Sequence, residues 1–399
     1  MSNCDVETGM LKKENVKSTH LEKHYIKDPQ SLIELCRRYE QSEMLAIDTE
    51  FVRTRTLYPK LGLLQINNGE HLALIDPIHI DDLSPFWQLL SNPNIVKVLH
   101  ACSEDLEVFL TAANCKPVNL IDSQIMMSFL GHGLSIGYAA MIKHYFDIEL
   151  DKSESRTDWT KRPLSEKQLR YAQADVEFLY RAYPKILTEI QDTPWLVAAQ
   201  QETQLLIEKK FSPIDTEQLH RNVKMSWRLN PKQLCLLKAL AIWRYEQAQK
   251  RDMPIGFIAK DNTLLGLAQH NPKSIGAMAN IEGVDVLDIR HKGKAMLAVL
   301  NQASLIEAQH YPEKIVRLDE YPGYKQIFKK VKNFIADIGE QSGQTVENLA
   351  SKKQINQFLA QHFKLNDGSN NSDVIDIMVD WRFDLFGKRL QEFANNDFK

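Results

Sequence analysis

Apolar positions recur at helical spacing through SLIELCRRYEQ and then close up in MLAIDTEFV, a run dense enough for a buried strand that ends in charged residues. LGLLQINN and HLALID follow as short apolar runs separated by NNGE, a hairpin-like turn signal, so three neighbouring strands are predicted. LSPFWQLL then reads as helix, NIVKVLH as strand, SEDLEVFLTAA as helix, VNLID as strand and SQIMMSFL as helix. That alternation builds a mixed sheet covered by helices. Ser103 is the expected N-cap of the second of these helices, with acidic residues in its first turn. The polar stretch DKSESRTDWTKRPLS breaks the pattern, and a helix capped by Ser165 resumes to about Glu189.

Turn signals in DTPWL and SPIDTEQ place a boundary within 190–228. Two helix-rich segments follow, about 229–305 and 316–395, of similar length and all-helical character, which suggests a degenerate repeat. The low-complexity patch NDGSNNS reads as a surface loop. A length of 399 residues agrees with two or three domains. No run approaches ~18 apolar residues, and the first twenty residues lack the apolar core of a signal peptide, so a cytoplasmic location without a membrane span is expected. The five cysteines are widely spaced and contain no CxxC pair, the pattern of reduced thiols.

Charge changes this picture, because the net −3 hides an asymmetry. Residues 1–220 carry 23 Lys and Arg against 32 Asp and Glu, whereas residues 221–300 carry 13 against 6. A basic module behind an acidic one fits a polyanion-binding unit joined to one that concentrates carboxylates for metal. Chance clustering of solvated charge is the bland alternative.

Three groups of residues carry the candidate chemistry. Asp48 and Glu50 lie two apart at a strand end, so both carboxylates project from one face, roughly 7 Å apart along the chain. Asp105 lies just past another strand, inside the first turn of a helix; a dipole-complementing acid there would look the same, as Glu104 beside it does. Tyr171 and Asp175 stack on one helical face, close to an apolar stripe of Leu169, Ala172, Val176 and Leu179. A Tyr–Asp hydrogen bond in a packed helix is the plainer reading of that pair. Taken together, hard oxygen ligands without convergent His or Cys select Mg²⁺ or Mn²⁺, and such a set can hold two ions ~3.5–4 Å apart around a phosphodiester. A hydroxyl with an ordinary pKa near ~10 suits Tyr171 to orienting water rather than deprotonating it.

AIDTEF, HACSEDLEVF and YAQADVEFLY resemble the three exonuclease motifs of the DEDD nucleases, and Y-x-x-x-D is similar to the tyrosine subgroup; the slot of the histidine subgroup's His holds Arg170. FVRTRTLYPKLGLLQI, IDSQIM and DWTKRPLSEKQLRYAQADV are similar to the ribonuclease D family in particular, and RLNPKQLCLLKALAIWRYEQAQKRDMPIGFIAKDNTLLGLAQHNPKSIGAM resembles the helical HRDC domain. The resemblance implies an α/β RNase H-like exonuclease domain, a mixed sheet flanked by helices, followed by two all-α HRDC-type domains. The boundaries expected are a disordered leader 1–20, an exonuclease domain 21–192, a helical linker 193–228, a first HRDC domain 229–309 and a second HRDC-like domain 316–395. It also implies 3′ to 5′ trimming of RNA, including tRNA precursors with 3′ extensions, releasing nucleoside 5′-monophosphates, by a chain expected to be a monomer. Asp48, Glu50, Asp105 and Asp175 then match the metal-binding acids, and Tyr171 the residue that positions the water.

Supporting residues have two readings each. His100 contacts a phosphate or packs at a strand end. Phe51 and Tyr58 stack beside the terminal nucleotide or join the core, since aromatic platforms suit single strands. Gln65 faces substrate or solvent, Asp122 caps the helix that follows it rather than binding metal, and Arg162 reaches a phosphate or is merely solvated. Lys232, Arg244, Lys250, Arg251 and Lys260 are candidates for contacts to the RNA backbone, with Trp243 assigned to the core. Rival functions are a DNA exonuclease, because nothing readable here discriminates the 2′-OH, and a scaffold with an inert nuclease domain, against which the five intact residues weigh.

Overall fold

A computed structural model describes residues 21–365 and 375–399. The leader 1–20 and the NDGSNNS patch therefore lie outside the described residues. The first unit is built on strands β1 (Glu22–Ile26), β2 (Met44–Val52), β3 (Lys60–Asn67), β4 (His71–Ile75), β5 (Val96–Leu99) and β6 (Leu120–Asp122), interleaved with helices α1 (Pro29–Tyr39), α2 (Ser84–Ser91), α3 (Ser103–Ala113), α4 (Ser123–Phe129) and α5 (Tyr138–Phe146). Helices α6 (Glu166–Gln191) and α7 (Leu196–Phe211) complete it. The six strands lie in the order β1-β4-β3-β2-β5-β6, with β3 antiparallel to both of its neighbours and the other pairs parallel.

Two apolar layers enclose this sheet. Ala46, Leu63, Leu72 and Leu74 pack on the α6 side, whereas Ile47, Leu64, Ala73 and Ile75 pack with α1 and α2. The strict alternation is what a sheet buried on both faces requires. Strand β1 has no such pattern: only Ile26 of EKHYI is buried, because this strand forms the edge of the sheet, and its polar composition hides it from a periodicity reading. Helix α5 likewise lies where no helix was predicted. Ser103 is the first helical residue of α3 rather than its cap. The Asp122 carboxylate takes the waiting amides instead, accepting from the N–H groups of Ala101 and Cys102 at 2.9 Å while also capping α4 through the amide of Gln124. The expectation for Asp122 thus agrees with the structure, and its reach extends to a second helix. Four cysteines, Cys36, Cys102, Cys115 and Cys235, are buried free thiols.

Within 193–228, α7 is packed tightly: Ala198 and Ala199 join one apolar layer, Ile207 the other, and Thr203 accepts from the backbone N–H of Asp122. The helical region comprises α8 (Pro231–Arg251), α9 (Ile255–Ile258), α10 (Asp261–His270), α11 (Ile275–Ala279) and α12 (Val286–Ala303), then α13 (Tyr324–Ser342), α14 (Val346–Leu349), α15 (Lys352–His362), α16 (Asp380–Arg382) and α17 (Lys388–Asn395). Both halves open with a long helix, a four-residue helix and a third of ten or eleven residues, the repeat that their length suggested. They attach differently. The first has its own core around Leu237 and Leu267, whereas the second shares one continuous core with the α6 side of the sheet. Gln344 donates to the carbonyl of Phe129, and Trp381 packs edge-on to Phe129.

Candidate active site

Strand β2 sits inside the sheet, paired to β3 on one side and β5 on the other, and carries Asp48 and Glu50 on the face that looks towards α6. Helix α6 begins with a reciprocal capping box between Ser165 and Gln168, worth ~1 kcal/mol, which fixes where the helix starts and so the phase of Tyr171 and Asp175. The hydroxyl of Tyr138 donates to the carbonyls of Ala174 and Asp175 at 2.8 and 2.5 Å and anchors the same turn. As a result, carboxylate oxygens of Asp48, Glu50 and Asp175 all lie within 4.8 Å of one another. Asp105, in the first turn of α3, is buried beside them and accepts a 2.5 Å hydrogen bond from the Thr49 hydroxyl.

The electrostatics are those of carboxyl groups crowded together and shut off from solvent. Burial, followed by the charge of Asp175, raises the Asp48 carboxyl well above the usual range. Burial and then Asp48 push Glu50 up to about 10, and burial pushes Asp175 up to about 8. Asp105 is raised by burial and by Asp48. One oxygen of Asp175 is buried without a hydrogen-bond partner among the described residues. An orphaned anionic oxygen among three further carboxylates fits hard divalent cations, which relieve both the repulsion and the missing bond.

A cavity of about 430 Å³ opens over Asp48 and Asp175. Lys167, Arg170 and Tyr171 line it from α6, on the same helical face as Asp175, and Lys152 lines it from the loop opposite. Sequence reasoning missed Lys152, Lys167, Thr49 and Tyr138; the i, i+4, i+8 spacing of Lys167, Tyr171 and Asp175 was the available signal for one of them. It also missed Trp159, fully buried with its ring centroid 6.0 Å from that of Tyr171. The backbone of Trp159 presses on Gly62, where an added Cβ would lie 2.6 Å from the Trp159 carbonyl oxygen. Gly62 is the extra residue of a bulge that faces Glu50 and Phe51, so the end of β2 is shaped by a contact only glycine permits.

Several supporting residues depart from expectation. His100 lines the cavity, but its ring nitrogens are both committed, to the Ser123 hydroxyl at 2.9 Å and the Ile136 carbonyl at 3.0 Å, and burial lowers its pKa, so it packs and takes no phosphate. Gln65, the cross-strand partner of Asp48, is completely buried with no partner for its amide among the described residues, and so faces neither solvent nor substrate. Arg162 is bound to Asp76 and to three backbone carbonyls and is not available to a phosphate. Tyr58 is drawn to the first helical domain: Asp252 accepts from the backbone N–H groups of Leu57 and Tyr58, and Gln249 donates to the Tyr58 hydroxyl. Phe51 is half-buried and belongs to neither apolar layer. Arg244 is buried against Asp261 and the Ala259 carbonyl, which removes it from the RNA-contact set, and exposed Lys260 is paired to Asp285. Lys232, Lys250 and Arg251 are exposed, and Trp243 packs on the first helical core as expected.

Residues 23–191 match the 3′-5′ exonuclease family, residues 233–300 the HRDC domain, and residues 322–390 the C-terminal HRDC domain of ribonuclease D. Fold and site thus define a 3′-5′ exonuclease of a class that uses divalent metal. The ribonuclease D of Serratia proteamaculans is 42% identical over 361 residues, covering 90% of this chain and 96% of that protein, and the ribonuclease D of Escherichia coli K12 is 41% identical over 360 residues, covering 90% and 95%. The chain belongs to the ribonuclease D family and is an exoribonuclease. The crystal structure of Escherichia coli RNase D, described as an exoribonuclease involved in structured RNA processing, superposes with a TM-score of 0.90 at 39% identity, over 93% of this chain and 98% of that one. No helix of the described residues is long and apolar enough to cross a membrane.

Proposed function

We propose that this chain trims the 3′ ends of structured RNAs, tRNA precursors with 3′ extensions among them, as a cytoplasmic monomer that holds two divalent ions, Mg²⁺ or Mn²⁺, between Asp48, Glu50, Asp105 and Asp175. The observation that carries this reading is the gathering of three carboxylates within 4.8 Å around an unpartnered oxygen of Asp175, under a cavity edged by basic side chains.

Bound divalent cations supply Lewis-acid stabilisation of the charge that develops on the scissile phosphate. The side chains do the rest. Burial, with Asp175, Glu50 and Asp48 nearby, raises the Tyr171 hydroxyl far above neutral pH, so it stays protonated and orients the attacking water by hydrogen bonding rather than acting as a base. Tyr138 fixes the turn that carries Asp175, and Trp159 backs the ring of Tyr171. Lys152, Lys167 and Arg170 are placed to take backbone phosphates of the strand entering the cavity. Phe51 stays a candidate platform for the terminal base.

Incubating the protein with 3′-labelled tRNA precursor and with matched single-stranded DNA, in Mg²⁺, Mn²⁺ or chelator, tests this. Metal-dependent release of single nucleoside 5′-monophosphates from the RNA is expected. Faster turnover of the DNA moves the assignment to a DNA exonuclease.

A further inference from the structure

On the other face of the sheet, the edge strand β1 and its neighbour β4 bring together three side chains of ligand type. Glu22 and His24 are two apart on β1, and His71 is the parallel cross-strand partner of Glu22. All three share the face whose next residues, Ile26, Ala73 and Ile75, pack with α1, whereas the catalytic acids face α6. The Nε2 of His24 lies 3.2 Å from the Nδ1 of His71, and the Glu22 Oε2 lies 3.2 Å from the His71 nitrogen and 3.7 Å from that of His24.

We propose that Glu22, His24 and His71 form a Zn²⁺ site that staples edge strand β1 to β4. A tetrahedral Zn²⁺ with bonds of ~2.0–2.1 Å holds its ligand atoms ~3.3–3.4 Å apart, so the observed triangle is one face of that tetrahedron with little adjustment. Two imidazoles and a carboxylate form a borderline donor set that suits Zn²⁺ better than Mg²⁺, and this separates the site chemically from the all-carboxylate centre. Burial and then His71 lower the pKa of His24, against the opposing pull of Glu22; Arg38 lowers it further. The half-exposed Glu22 leaves a path from solvent, with water as the fourth ligand. The Tyr39 hydroxyl donates to the backbone carbonyl of His71 at 3.1 Å and steadies that strand position. Because β1, among the described residues, pairs on one side only, a cross-strand metal bond adds restraint where this sheet has least.

The test titrates Zn²⁺ into the full-length chain in excess Mg²⁺ by calorimetry, in the wild type, in D48N to silence the carboxylate centre, and in H24Q, H71Q and the surface variant E22Q. One Zn²⁺ equivalent is expected in the wild type and in D48N, with affinity lower by about tenfold or more in each ligand variant. A Zn²⁺-dependent rise in Tm should vanish in those variants while their Mg²⁺-supported exonuclease rate is unchanged. The proposal is overturned if D48N retains no equivalent, or if E22Q and H24Q bind Zn²⁺ as the wild type does.

Discussion

Arg162 and Asp76 form a bidentate pair: the guanidinium Nε and Nη2 each lie 2.6 Å from one oxygen of a carboxylate that is completely buried. The same guanidinium donates to the carbonyls of Gly62 and Trp159, so one side chain ties the bulge beside Glu50 to the loop that backs Tyr171. Removing one member of a buried pair leaves the other charge unpaired. R162A is expected to lower the unfolding free energy by ~3–5 kcal/mol, read by urea denaturation. The pair also sets an acid limit. Burial alone would raise Asp76, yet hydrogen bonds from Arg162, Tyr25 and His79 bring it down to about 2. With its folded pKa depressed, its contribution is complete above pH ~4 and is lost as pH falls through about 2, so the wild type should lose stability in that window and R162A should lose less.

The catalytic carboxylates predict the opposite slope for metal-free protein. Glu50 and Asp175 have folded pKa values raised to about 10 and about 8, so their stabilising protonated forms are complete below pH ~4 and are lost as pH rises through those values. In chelator the Tm should therefore fall between pH ~5 and ~8, and Mg²⁺ should restore it most at the alkaline end. A chelated protein with a flat Tm over that range contradicts the arrangement.

Tyr171→Phe removes only a hydroxyl from a ring that packs near Trp159. Turnover should drop by roughly 10²-fold with little change in KM or Tm, the size expected of a positioned proton-handling group. A rate like that of the wild type reduces Tyr171 to packing.

The first helical domain should bind RNA through its exposed charge. Deleting both helical domains is a poor test, because the second shares its core with the sheet and its loss would strip the α6 side. The double variant K250A/R251A leaves that core intact. It should weaken RNA binding and reduce the slope of log K against log salt by about 1–2. An unchanged slope places the RNA elsewhere.

What the sequence made legible follows the range of the interactions involved. Asp48 with Glu50, and Tyr171 with Asp175, are set by strand and helix periods within a few residues, and the capping role of Ser165 is written in four. The alternation of strands and helices carried the sheet in the same way. Arg162 was misread because its partner lies 86 residues away and nothing local marks it as paired. Arg244 failed for a similar reason, its charge being spent on Asp261 at the start of α10, 17 residues on. Edge strand β1 was hidden because solvent exposure leaves it no apolar alternation. His100 showed its residue type but not the two hydrogen-bond partners, the Ser123 hydroxyl and the Ile136 carbonyl, that occupy it.

The most direct test of the acidic centre compares release of the 3′-terminal nucleotide from labelled tRNA precursor by the wild type and by Asp175→Asn in Mg²⁺, with RNA binding measured in parallel. The side chain keeps its shape but loses its charge, so release should fall to background while the precursor still binds. Near-normal release by Asp175→Asn would contradict the assignment of these carboxylates to catalysis.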